Sequence, residues 1–258
     1  MAIITLTTDL GDKDIYQAAL KGSILKLLPT VNIVDITNSI AAYNIQQAAF
    51  ILKNSYCYFP DDTVHLIGID TVFNEDTRYL AIRYEKHYFV GADNGIFSLM
   101  FDVEPEEIVE LNIMQDLKFL HFPLADIFVK AACHLAGGGK LKAIGIPVTD
   151  IARKMTLQPI IEKNMIKGSV IYIDSFHNVI TNVTKEFFTT VQQGRDFTLS
   201  FKRNETINKL SWHYNEVEEG EKLCMFGISD HLEIAINKGN ASGLLGLGIG
   251  DSVVIDFS

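Results

Sequence analysis

A change of texture near residue 166 limits the fold of this chain more than any single motif. Before it, β-rich runs alternate with runs whose apolar residues recur at helical spacing. "AIITLTT" is followed by "DKDIYQAALKGSILKLLP", which stops at Pro29, and then by "VNIVDIT", "IQQAAFILKNSYCYF" and "TVHLIGID". "YLAIRYEKHYFVGADNGIFSLMF" reads as two strands joined by a turn and then a short helix. Alternation of strand and helix predicts an α/β domain whose mostly parallel sheet is flanked by helices on both faces. After Ile166 the runs are short and separated by Gly, Asn and Asp, as in "GSVIYIDSFHNVITNV", "DFTLSFKRNETINKLSWHY", "HLEIAI" and "DSVVIDF". That pattern predicts a smaller all-β, barrel-like domain. The expected division is an α/β domain over 1–152, a linker over about 153–165 and the β domain over 166–258.

The 258 residues, 48% of them hydrophobic, suffice for a sizeable core. A net charge of -10 argues against sequence-independent binding to nucleic acid and is compatible with a neutral or cationic small ligand. The N-terminal "MAIITLTTDLGD" lacks a basic n-region and an apolar h-region, and no apolar run reaches membrane-spanning length. A cytoplasmic protein without membrane partners is expected. Cys57, Cys133 and Cys224 lie far apart in apolar surroundings, without metal or redox spacing, and read as buried thiols.

Several polar residues fall where open α/β sheets bind ligands, at the C-terminal ends of strands. In "TTDLGDKDIYQ", Asp12 and Asp14 read as helix caps, whereas Asp9 precedes the turn and is suited either to a ribose diol or to a metal. Asp70 ends an apolar run and Arg78 precedes the next. The pair reads equally as two groups sharing a crevice, the arginine keeping the aspartate ionised, or as a loop ion pair. Asn94-Gly95 reads as a structural turn. In "YIDSFHNVITN", Asp174 and Asn178 flank an expected hairpin and offer donors and acceptors to an amino acid or a nucleobase. Gly246, Gly248 and Gly250 precede a strand and so fit bends rather than a dinucleotide site. His65, His121, His134 and His177 show no metal-ligand spacing, and no metal is expected.

Taken in order, "TTDLGDKDIYQAALKGSI", "VDITNSIAAYNIQQAAF", "YFPDDTVHLIGID", "YFVGADNGIFS", "DIFVKAACHLAGG", "YIDSFHNVITNV" and "LEIAINKGNAS" resemble the S-adenosylmethionine hydroxide adenosyltransferase family, whose more distant relatives are fluorinases and chlorinases. The resemblance runs from Thr8 to about Asp251. It implies hydrolysis of S-adenosylmethionine to adenosine and methionine by water attack at the ribose C5′. S-adenosylmethionine is then the substrate, no cofactor is needed, and a homotrimer places each ligand between neighbouring subunits. A sulfonium is already an activated leaving group, so the protein mainly binds, excludes bulk water and aligns one water.

By the same resemblance Asp9 binds the ribose hydroxyls, Tyr43 stands where the halogenases have an aromatic residue beside the ribose, and Asp174 and Asn178 hold the methionine portion. Asp70 and Arg78 match two of the Asp-Arg-His set credited with positioning water. The sequence departs from the family at four places. "DTVFNEDT" replaces D-P-G-V-G-T, Pro123 stands at the histidine position with His121 two residues earlier, "GISD" at 227–230 replaces N-S-x-G, and His177 replaces a glycine. The leading expectation is a hydrolase using Asp70, Arg78 and His121. A binder of S-adenosylmethionine or adenosine with impaired catalysis is the alternative, motivated by Pro123. Metal-dependent phosphoester hydrolysis by Asp9, Asp12, Asp14 and Asp70 ranks third.

Overall fold

Along the strand Val64–Gly68 successive side chains leave opposite faces, so Leu66 joins one apolar core and Ile67 another. That division runs through the whole first part of the chain. The computed structural model describes residues 2–71, 77–202 and 205–258. The chain folds as two compact units, Met1–Met155 and Thr156–Ser258.

The first unit runs β1 (Ile3–Thr8), α1 (Ile15–Leu27), β2 (Asn32–Thr37), α2 (Ile45–Lys53), β3 (Val64–Gly68), β4 (Tyr79–Tyr84), β5 (His87–Ala92), α3 (Ile96–Met100), β6 (Glu107–Leu111), α4 (Ile127–Ala136) and β7 (Gly145–Pro147). Its sheet has the order β2-β1-β3-β5-β4-β6-β7. The first four of these pair in parallel, while β4 is antiparallel to both β5 and β6, and β7 is antiparallel to β6. The sheet is therefore mixed, with β4 and β7 running against the other five strands. The cause is local: β4 and β5 are joined by Glu85 and Lys86, both at positive φ (44° and 68°), and a two-residue turn can only reverse a strand.

Leu20 and Ile24 of α1 and Phe128 of α4 cover one face with Leu66, Ala81 and Val90; Leu52 of α2 and Phe97 of α3 cover the other with Ile67, Leu80 and Phe89. Strand β2 is an edge with most of its side chains at least partly exposed, and α1 leaves Ile15, Tyr16, Leu25 and Leu27 exposed. Asp14 takes the N-cap position of α1 without a side-chain capping bond, and Asp12 instead accepts from Gln17 at 3.2 Å.

The second unit runs β8 (Ile160–Glu162), β9 (Met165–Ile173), β10 (Val179–Thr184), α5 (Lys185–Gln192), β11 (Phe197–Phe201), β12 (Glu205–Ile207), β13 (Lys222–Phe226), β14 (His231–Ile236), α6 (Ala241–Leu245) and β15 (Ser252–Phe257). The strands follow the path β12-β11-β15-β9-β10-β14-β13, and β8, within the stretch expected as linker, pairs with β9. A bridge from Leu210 to Cys224 brings the two ends of the path together, giving a nearly closed barrel. Val253, Ile255 and Phe257 point inward with Leu199 and Ile234, and Phe188 of α5 meets the rings of Phe197, Phe226 and Phe257 at 5.2, 5.5 and 5.4 Å. Gly246 at φ +68° ends α6 and Gly250 at φ +87° starts the approach to β15, so these glycines serve bends.

Cys133 and Cys224 are buried, whereas Cys57 is exposed, contrary to its apolar sequence context. It lies in the single 3₁₀ turn Tyr56–Tyr58, where Tyr56 turns inward and its hydroxyl donates to Glu85 at 2.7 Å. One turn cannot bury both neighbours.

A histidine pair lies inside the first unit. His65 of β3 is fully buried, with Nδ1 2.7 Å from the Thr5 hydroxyl, Nε2 3.2 Å from Nδ1 of His87, and its ring stacked on Phe89 at 4.8 Å. Burial, and then the neighbouring His87, pushes the His65 imidazole from its ordinary 6.5 down to about 3. Burial also lowers His87, with Asp61 acting in the opposite sense. The neutral ring is thus the form that fits the fold. Above pH 6.5 its contribution is fully present; as pH falls from there towards about 3 the unfolded chain takes a proton that the folded chain refuses, and stability falls. His65→Gln, which cannot ionise, is expected to lose less stability between pH 7 and pH 4 than the wild type in urea unfolding. Parallel losses in the two proteins would contradict this assignment.

Candidate functional site

The chain goes from β1 to β2 on one side and returns to β3 on the other, so the sheet order reverses between β1 and β3. Crossover connections then leave an open crevice at the C-terminal ends of these two strands. Thr8 of β1 pairs with Gly68 of β3, and the next residues, Asp9 and Ile69-Asp70, carry the chain out of the sheet side by side. The Asp9 amide donates to the Gly68 carbonyl at 3.3 Å.

Asp9 and Tyr43 are brought together. Oδ2 of Asp9 accepts from the backbone N–H of Tyr43 at 2.9 Å, and Tyr43 is exposed with φ +64°. Oδ1 of Asp9 accepts no hydrogen bond among the described residues. The turn is steadied from behind, where the Thr8 hydroxyl donates to Asn38 at 2.7 Å and the Gly11 amide to the Asn38 carbonyl at 2.8 Å.

Asp70 and Arg78 are not paired with each other. Asp70 is exposed at φ +47°, a left-handed conformation that costs a non-glycine residue roughly 1 kcal/mol or more. The Asn94 amide braces it, donating to the carbonyls of Ile69 at 2.9 Å and Asp70 at 3.4 Å. Arg78 turns instead to Asp93 and Asp150. Its Nε and Nη2 reach Oδ2 of Asp93 at 3.1 and 2.6 Å, and Nη2 reaches Oδ2 of Asp150 at 3.0 Å. Asp150 and Asp93 together hold the guanidinium still further into its charged range, and Arg78 holds the exposed Asp150 carboxyl below the usual carboxylate range. The Asp93 side chain is buried, so this part of the network is weakly screened. Most of "DTVFNEDT", residues 72–76, lies outside the described residues.

His121 is not brought to this crevice by any bond among the described residues; it is exposed in the turn before the short 3₁₀ helix Pro123–Ala125. Pro123 opens that helix, and Leu124 lies directly over Gly68, where a Cβ would stand only 2.4 Å from the leucine Cδ2. The segment thus roofs the end of β3 with apolar atoms.

In the second unit Asp174 and Asn178 close the β9–β10 hairpin. Oδ1 of Asp174 accepts from the amides of Phe176 and Asn178 at 2.9 and 2.8 Å, and Oδ2 from the Asn178 side chain at 3.1 Å. His177, where the family pattern has glycine, holds φ +65°, so the turn keeps a glycine-like conformation with an imidazole on it. Behind it lies Glu233, buried and accepting from the Tyr214 hydroxyl at 2.6 Å. Burial raises the Glu233 carboxyl, the hydrogen bond from Tyr214 opposes that rise, and the charge of Asp174 adds to it. Neither carboxylate has a basic partner among the described residues.

Sequence reasoning missed Asp93, Asn94 as a brace, Asp150, Tyr214 and Glu233. Asp93 carried the same signal as Asp9 and Asp70, a carboxylate at a strand's C-terminal end. Among the described residues, no group of three or more His, Cys, Asp or Glu is placed to hold a metal ion.

The chain matches the SAM hydroxide adenosyltransferase N-terminal domain over residues 4–145 and the C-terminal domain of the same family over residues 168–254. An (R)-S-adenosyl-L-methionine hydrolase of Methanocaldococcus jannaschii is 28% identical over 99% of this chain and 96% of its own. A fluorinase of an Actinoplanes species is 22% identical over 70% of this chain and 71% of its own. The crystal structure of an uncharacterized conserved protein from Thermotoga maritima superposes with a TM-score of 0.88 and 26% identity, covering 98% of this chain and 99% of that one. With both domains matched in order, this chain belongs to the SAM hydroxide adenosyltransferase family.

Proposed function

We propose that this chain hydrolyses S-adenosylmethionine to adenosine and methionine, with water attacking the ribose C5′. The observation that carries the reading is the placement of two carboxylates, Asp9 and Asp70, at the ends of adjacent strands on either side of the sheet's reversal, in a chain similar along its whole length to a named S-adenosyl-L-methionine hydrolase. The C5′–S bond breaks as the C5′–O bond forms, methionine leaves with the electron pair on sulfur, and the proton that water gives up passes by way of Asp70 to bulk solvent. Little chemical activation is required, because the sulfonium is already a good leaving group, so alignment and exclusion of bulk water do most of the work.

In this reading Asp9 takes the ribose hydroxyls on the carboxylate oxygen that Tyr43 leaves open, and Tyr43 lies beside the sugar. Asp70 and Arg78 hold the attacking water, with Asp70 accepting its hydrogen bond. Asp174 and Asn178 hold the methionine portion, and the uncompensated charge of Asp174 and Glu233 suits a cationic substrate. His121 enters only if the 121–123 turn rearranges. No cofactor takes part, so chelator is expected to leave turnover unchanged.

We further propose a homotrimer in which a neighbouring subunit completes each site. The exposed Ile15, Tyr16, Leu25 and Leu27 of α1, beside the edge strand β2, support an interface there. Three unpaired cysteines support residence in the reducing cytoplasm. No helix among the described residues is long and apolar enough to cross a membrane. The second reading, a binder with impaired catalysis, is favoured by Pro123, which stands at the family's histidine position and opens the apolar roof.

Purified protein is expected to yield adenosine and methionine in equal amounts. Asp70→Asn should lower kcat on the order of 100-fold, and Asp9→Ala should act mainly on KM. Saturable binding without products would establish the binder instead. Light scattering is expected to give three times the chain mass; a monomeric active protein would remove the neighbouring subunit from the site.

A further inference from the structure

The turn Ala92-Asp93-Asn94-Gly95 reads in sequence as a connector, yet its two polar side chains reach both proposed water-holding residues. Asp93 binds Arg78 from both directions. Its buried carboxylate accepts from Nε and Nη2 at 3.1 and 2.6 Å, while its backbone N–H donates to the Arg78 carbonyl at 2.8 Å. Its other oxygen, Oδ1, accepts from the Ala152 amide at 2.7 Å, so the carboxylate itself cannot swing. Asn94, the next residue, donates to the Ile69 and Asp70 carbonyls and accepts from the Ile96 amide at 3.2 Å, which fixes its own rotamer. Gly95 follows at φ +98°, where a Cβ would stand 2.6 Å from Cγ of Lys154, so the turn is pressed against the segment leading out of the unit.

A guanidinium has five N–H donors. Nε and both Nη2 hydrogens are taken by Asp93 and Asp150, and one Nη1 hydrogen faces Asp150 at 3.4 Å. One Nη1 hydrogen is left without an acceptor among the described residues. Its direction is dictated by Asp93, because a planar fork held at Nε and Nη2 has no remaining rotation.

We infer that Asp93 and Asn94 are positioning residues for the hydrolysis. Asp93 aims the last donor of Arg78 at the water, and Asn94 sets the backbone from which Asp70 reaches the same water. The inference rests on the hydrolase reading above. A misplacement of about 1 Å in such a site lowers turnover by up to about 100-fold while leaving substrate affinity intact.

The test is a set of double-mutant cycles with kcat, KM and the thermal midpoint measured for each protein. Asp93→Asn, which keeps the shape and removes the charge, is expected to lower kcat about 10-fold or more with KM unchanged. In an Arg78→Ala background it should have no further effect on kcat. Asn94→Ala leaves the Asp93–Arg78 pair intact and should lower kcat in the same way, an effect that vanishes in an Asp70→Asn background. It carries the test if Asp93→Asn is too unstable to assay. A wild-type kcat in Asp93→Asn or Asn94→Ala, or losses that persist undiminished in the Arg78 and Asp70 backgrounds, would overturn the inference while the hydrolase reading stands. A wild-type protein that forms no adenosine would overturn that reading, and the inference with it.

Discussion

The parallel pairing of β1 with β3, in the register that sets Thr8 against Gly68, fixes the crevice in which the proposed chemistry would take place. Strands in a sheet lie under 5 Å apart, so the chain on either side of the reversal must leave the sheet within reach of its neighbour. Asp9 and Asp70 fall on those two exits. What surrounds them follows from that juxtaposition: Tyr43 closes on Asp9 through its amide, and the turn after β5 braces Asp70 and holds Arg78. Leu124 lies close over Gly68, an approach that a larger residue at 68 would block.

The two units meet the demands of a cationic substrate differently. In the first, Arg78 is matched by Asp93 and Asp150 and keeps one guanidinium hydrogen without an acceptor among the described residues, while Asp9 and Asp70 have no basic partner among them. In the second, Asp174 and Glu233 are held by neutral donors, the Asn178 amide and the Tyr214 hydroxyl, and have no cationic partner among the described residues. In the proposed reading, the sulfonium substrate's α-ammonium group goes to the second environment and the water that needs orientation to the first. Water attack of this kind asks for geometry more than for a strong base, which fits a site whose histidine position is filled by Pro123.

Local pattern carried much of this into the sequence. Strand-end carboxylates at 9, 70 and 174 were legible because each follows an apolar β run, and the barrel was legible because alternation at period two persists through β11 and β15. The partners of Arg78 were not, since Asp93 and Asp150 lie 15 and 72 residues away and meet it only through tertiary packing. The histidine pair was hidden for the same reason: His65 and His87 are adjacent only because β3 pairs with β5. Cys57 was misread because apolar neighbours in sequence do not share a burial when a single 3₁₀ turn separates them. The reversal between β4 and β5 was legible as two β runs joined by a turn, although Glu85-Lys86 lacks the usual Asn-Gly signature; the antiparallel pairing of β4 with β6 and of β6 with β7 was not.

Isotope labelling tests water attack at C5′ most directly. When S-adenosylmethionine is turned over in H₂¹⁸O, the account predicts adenosine carrying one ¹⁸O at the 5′ oxygen and methionine carrying none from the reaction. Adenosine without label, or a 5′-substituted product in place of adenosine, would show that water is not the nucleophile and would contradict the roles given to Asp70 and Arg78.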